Sequence, residues 1–179
     1  MKINNLILSF VFLFLLGIAL RLLPHPANFS PVFAVALLAG VYLPKKWSVI
    51  MPLALMLLTD VFLGFYDPRL MMVVYACVAI SALIGLVLKK RNNVFKTAAA
   101  SLGISLLFFV VTNFAVWALS SWYPHNFSGL MLNYGLAVPF FRNTLLSNLF
   151  FTGLLFGSVE AVKWKYQNFF KITDRQIIS

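Results

Sequence analysis

Six apolar stretches divide this chain, and lysine and arginine fall in every second gap between them. The stretches cover roughly residues 5–23, 29–43, 47–65, 70–88, 97–120 and 135–162, and a bilayer core asks for about 20 helical residues apiece. The second is short and is expected to borrow length from its flanks. Ser30-Pro31 offers it a start, with Ser as N-cap and Pro at the first helical position, and Pro44 ends it. The fourth runs into the basic cluster Lys89–Arg91, after which Asn92-Asn93 turns the chain. Pro139, near the start of the sixth, predicts a kink or a short lead-in helix.

The charges then set the orientation. Lys2, Lys45, Lys46, Lys89, Lys90, Arg91, Lys96, Lys163, Lys165, Lys171 and Arg175 fall on one side. Only Arg21, Arg69 and Arg142 of the 14 basic residues map to the other. By the positive-inside rule both termini are cytoplasmic. Trp47 and Trp164 then lie at the inner interface, and Trp122 and Tyr123 at the outer, as aromatic belts do. The expected fold is an all-α membrane protein: one integral domain over residues 1–179, a six-transmembrane-helix bundle, multi-pass in the cytoplasmic (inner) membrane.

Composition agrees with that picture. The chain is 62% hydrophobic and 10% charged, so a soluble fold would expose far too much apolar surface. Its formal net charge of +10 sits in short loops, which suits anionic lipid rather than nucleic acid. The N-terminal apolar run exceeds a signal-peptide core and lacks a small-x-small cleavage site, so it reads as an uncleaved first span. The single cysteine, Cys77, lies in a span and excludes an internal disulfide. No metal set and no cofactor are expected.

An ionisable group inside a span is costly and marks a candidate site. Asp60 in span three and Arg142 in span six lie at matched depth, roughly 8–10 Å below the outer boundary at about 1.5 Å per residue. Asn113 in span five falls at the same level. These positions predict a buried Asp60–Arg142 pair, with Arg21 at the end of span one as the rival partner. Such a pair can shape a site or simply fix packing register. Further polar residues gather at the same end, among them His25, Asn28, Thr112, His125, Asn133, Asn143 and Asn148. In span six, Thr144, Asn148 and Thr152 recur every four residues beside Asn143 and Ser147, forming one polar face. Arg142, Asn143 and Asn148 are expected to line a pocket, and Thr152 to bond a neighbouring helix. Trp117 is a candidate stacking surface. Ala36-x-x-x-Gly40 lets another helix approach closely, and Ala98–Ala100 with Gly103 is a second candidate. Enzyme signatures such as HExxH, a P-loop or GxSxG are absent, and His25 and His125 read as loop histidines.

Several of these segments carry a resemblance. Arg21–Gly40 (RLLPHPANFSPVFAVALLAG), Thr59-Asp60 with Gly64, Thr112-Asn113-Phe114 with Trp117, and Pro139-Phe140-Phe141-Arg142-Asn143-Thr144-Leu145-Leu146 resemble, in order, a family of small bacterial membrane proteins without a settled activity. That family is in turn similar in size, span count and signature placement to the substrate-binding S components of energy-coupling-factor vitamin transporters. The resemblance implies a solute site near the outer face and a coupling module docked on small residues. It makes Arg21–Ser30 a gating outer loop and places Asn113, Arg142 and Asn143 near the ligand. Span one offers only Gly17 and Ala19 for docking. The chain also lacks the His-bearing N-terminus of the nickel and cobalt members, which sets the resemblance against metal-ion uptake.

The expectation is therefore a non-enzymatic binding and uptake subunit for a small polar or anionic, vitamin-like solute. Its candidate ligand residues are Arg21, His25, Asn28, Asp60, Asn113, Trp117, Arg142, Asn143 and Asn148. Its partners would be the lipid bilayer, the solute and an energy-coupling module of transmembrane and ATPase subunits, with no nucleic acid. The alternative is an assembly or scaffold protein whose polar cluster only sets packing; an intramembrane enzyme using Asp60 and the loop histidines is a third reading.

Overall fold

The computed structural model describes residues 3–90 and 93–177. Lys2, Arg91 and Asn92, and the side chains of Lys163, Lys165, Lys171 and Arg175, lie outside what it describes. Six helices follow one another: α1 (Ile3–Leu22), α2 (Val32–Tyr42), α3 (Lys45–Leu63), α4 (Pro68–Leu88), α5 (Val94–Leu119) and α6 (Phe127–Ile177). Among the described residues, four of them (α3, α4, α5 and α6) are long and apolar enough to cross a membrane.

The second helix departs from expectation. It has 11 residues, spans roughly 16 Å at the helical rise, and does not borrow length from its flanks. Every residue from Val32 to Val41 is buried. A helix apolar on all sides belongs inside a protein, and α2 is enclosed by α3, α4, α5 and α6, with α4 its main neighbour. Ala36 and Gly40 therefore serve an internal contact and are shut off from any external partner. At the crossing of α2 and α4, a Cβ added to Gly40 would lie 2.7 Å from the Gly85 Cα, and one added to Gly85 would lie 2.8 Å from the Gly40 Cα. Backbone meets backbone there, as small residues permit.

Local chemistry sets the helix ends. Ser30 does not cap α2: Pro31 occupies the N-cap position with no side-chain bond, and the buried Ser30 hydroxyl oxygen has no partner among the described residues. The carbonyl of Leu43, which closes α2, accepts from Lys89 Nζ at 2.8 Å. Gly64 ends α3 at φ 95°, a left-handed conformation suited to glycine. Asp67 caps α4, its Oδ1 accepting from the Arg69 backbone N–H at 2.8 Å, with Pro68 at the first helical position. Asn93 caps α5 through the Lys96 N–H.

The sixth helix begins at Phe127, earlier than the apolar pattern suggested, and continues through Pro139 with no separate lead-in helix. Its register against α5 changes along its length. Asn133 Nδ2 donates to the Asn113 carbonyl at 2.7 Å, and Asn148 Nδ2 donates to Ser105 Oγ at 2.8 Å. The stretch of α6 between these bonds is nearly twice the matching stretch of α5. Pro139, which removes one helical hydrogen bond, lies inside this longer stretch, and Phe109 of α5 meets both Tyr134 and Phe141 there.

Candidate functional site

The charged centre joins α1, α3 and α4. Arg21, in the last turn of α1, reaches across to α3. Its Nη2 donates to Asp60 Oδ1 at 2.7 Å, and its Nη1 donates to the Met56 carbonyl at 3.1 Å and to Thr59 Oγ1. The Tyr75 hydroxyl of α4 donates to the other carboxylate oxygen, Oδ2, at 2.7 Å. Asp60 is 2% exposed, and both its oxygens are engaged, as a buried charge requires.

The expected Asp60–Arg142 pair is not formed. Arg142 is exposed, lines neither cavity described below, and has no ion pair among the described residues. The reason is azimuthal. Thr144, Ser147 and Asn148 face the bundle, and a residue two positions before Thr144 points roughly 200° away around a helix.

Two adjoining cavities open beside this centre. The larger, about 310 Å³, lies against Arg21, Asn28, Ser30, Val32, Phe33, Met56, Tyr66, Val74, Val78, Phe108 and Thr144. The smaller, about 200 Å³, is walled by Phe108, Phe109, Phe140 and Phe141, with Thr112, Asn113, Val116, Asn28 and Thr144 completing it. Asn28, Phe108 and Thr144 line both.

The connection from α1 to α2 covers this region. Asn143 Nδ2 donates to the Ala27 carbonyl at 2.9 Å, and Ser147 Oγ makes a longer 3.5 Å contact with that of Asn28. Asn28 sits at φ 61°, a left-handed conformation that asparagine tolerates better than most residues. Ala27 and Asn28 of the segment Arg21–Ser30 thus lie against α6, and Asn28 and Ser30 border the cavities.

The remaining candidates serve other contacts. His25 is turned onto its own loop, Nδ1 lying 2.9 Å from the Pro26 carbonyl oxygen and Nε2 3.1 Å from that of Arg21. Trp117 Nε1 donates to the Pro124 carbonyl at 2.9 Å, and its ring meets His125 edge-on. Asn148 is buried in a polar seam between α5 and α6, where Thr152 also bonds Ser101. Neither Trp117 nor Asn148 lines either of these two cavities. Asp60 stands behind Arg21 and lines neither.

Tyr66, Tyr75, Phe33 and Phe108 were not singled out by sequence. Tyr75 carries no signal beyond its place in an apolar helix. Tyr66 adjoins Gly64 and Asp67 in a short connection, a modest hint. Partial desolvation, and then the nearby Asp60 carboxylate, push its phenol up to about 12. Among the described residues no group of three His, Cys, Asp or Glu side chains could hold a metal ion.

Membrane-length helices packed around a buried short one, with an ion pair and two cavities at one end, define a helical membrane protein. The chain belongs to a family of unknown function, DUF6580, whose profile matches residues 1–170. No curated protein and no solved structure matches it.

Proposed function

We propose that this protein is the membrane-embedded binding subunit of an uptake system for a small polar or anionic, vitamin-like solute, similar in role to the S components of energy-coupling-factor transporters. One observation carries the reading: adjoining cavities bordered by Asn28 and Ser30 of the 23–30 connection, polar also at Arg21, Tyr66, Thr112, Asn113 and Thr144 and otherwise apolar or aromatic. A volume of about 310 Å³ and a mostly apolar wall with a few convergent polar groups suit a small-molecule site. The setting proposed is a bacterial inner membrane, with six spans and both termini cytoplasmic. The sequence has no nucleotide-binding motif, so a separate coupling module would supply energy. A C-terminal reporter fusion should read cytoplasmic; a periplasmic signal rejects the topology.

Thermal unfolding of the detergent-purified protein against vitamins and their precursors tests the function. A ligand present at 100 times its Kd should stabilise the fold by about 2.7 kcal/mol. No stabilisation by any solute would favour a second reading, a scaffold without ligand. That reading draws on Asp60, whose two oxygens are both committed to neighbouring helices.

A further inference from the structure

We propose that the two cavities together take one bipartite ligand: a flat ring bearing N–H or O–H donors, joined by a short link to a single carboxylate. This rests on the solute-binding reading above and names its substrate class.

The larger cavity offers donors. The bonds Arg21 makes leave from its two Nη atoms, so its Nε–H has no partner among the described residues. Ser30 contributes to the same lining, and its hydroxyl oxygen is buried without a partner among the described residues. The Tyr66 hydroxyl also has none among the described residues. No carboxylate lines this cavity itself; Asp60 stands behind Arg21, so an acceptor bearing negative charge meets the donors first. Because Asp60 already offsets the charge of Arg21, a ligand carboxylate is held here by hydrogen bonds rather than by a free counter-ion, and three donors serve one carboxylate and no more.

The smaller cavity offers acceptors. The Thr112 hydroxyl donates to the Phe108 carbonyl at 2.7 Å and that of Thr144 to the Phe140 carbonyl at 3.0 Å. Asn113 Nδ2 donates to the Phe109 carbonyl at 2.7 Å. With these hydrogens turned to their own helices, the hydroxyl lone pairs and the Asn113 Oδ1 remain for a ligand. They call for N–H or O–H groups. No ionisable side chain lines this cavity, so a cationic donor would be buried without a counter-charge, and a neutral one fits. Four phenylalanines wall the space and suit a flat ring. Asn28, Phe108 and Thr144, common to both linings, mark where the short link would pass.

The test uses the full chain in detergent and titration calorimetry with three ring acids: indole-3-propionate, 4-hydroxyphenylpropionate and imidazole-4-propionate. Each is compared with its methyl-capped ring analogue and its primary amide; choline and glucose represent other solute classes. At least one ring acid should bind, and each modification should weaken it about tenfold or more, a charge-assisted bond being roughly twice as strong as a neutral one. Asn113→Leu should erase the penalty of methyl capping, and Ser30→Ala should reduce the preference for acid over amide; neither touches the Arg21–Asp60 pair. Equal binding of capped and uncapped rings, or of acid and amide, overturns the ligand class. Binding of choline or glucose with no ring acid bound overturns the class while leaving solute binding intact. No binding by any of these compounds, together with no stabilisation in the wider vitamin screen, overturns both.

Discussion

Arg21 and Asp60 meet at 2.7 Å across the ends of α1 and α3, and Tyr75 closes the other side of the carboxylate from α4. Three helices are pinned at one buried charge. Asp60→Asn leaves Arg21 without its counter-ion, and truncating one partner of a buried pair costs about 3–5 kcal/mol. Thermal unfolding in detergent should show this loss, with Arg21→Met partly restoring stability in the Asp60→Asn background. Arg142→Ala, on an exposed face, should change stability by less than about 0.5 kcal/mol. A large loss at Arg142 would mean that the ion pair has the wrong partner.

The Gly40–Gly85 crossing makes a second expectation. Ala at either position forces the α2 and α4 backbones apart, and overpacking of this kind costs about 1–3 kcal/mol. Gly103 has open space where a Cβ would go. Gly103→Ala should therefore be neutral or stabilising by up to about 1 kcal/mol from helix propensity. Chemical denaturation of the three variants separates these outcomes.

At Asn28 the backbone is left-handed. Asn28→Gly should fold normally and weaken only ligand binding. Asn28→Val adds the steric cost of that conformation, about 1–2 kcal/mol, and should loosen the covering connection. Protease nicking between Leu23 and Ser30 would report it: faster for Val, unchanged for Gly.

The cap on α4 should respond to acid. The Arg69 side-chain and backbone hydrogen bonds hold the Asp67 carboxyl down to about 2, from 3.8. A depressed carboxyl contributes its stability in full above the unfolded value and loses it as pH falls through the folded one. The difference in thermal midpoint between wild type and Asp67→Asn should thus be constant above about pH 5 and shrink progressively below pH 4. A difference independent of pH would show that the carboxylate's charge is idle at this cap.

The long helices were legible because hydropathy and caps mark them along one dimension. The stretches read as 47–65, 70–88 and 97–120 appear as Lys45–Leu63, Pro68–Leu88 and Val94–Leu119. Depth along a helix was equally readable, which is why Arg21, Asn28 and Asn113 fall at one end of the bundle. Azimuth was not. Asp60 and Arg142 share a depth, but only helix neighbours decide which arginine the carboxylate sees, and α1 packs on α3. The apolar pattern of α2 could not reveal that it is enclosed by protein, since lipid and protein interior select the same side chains. Phe108 and Phe33 line a cavity for reasons of packing that leave no mark in composition.

The backbone contact at Gly40 and Gly85 also bears on how anything could cross this protein. Val32 and Phe33 of α2, and Val74 and Val78 of α4, border the larger cavity; the glycines lie about two turns deeper along the same helices. A crossing made of two main chains has no lumen that side-chain rotation could widen. A solute held above it would pass between α2 and α4 only if those two helices parted along their whole contact.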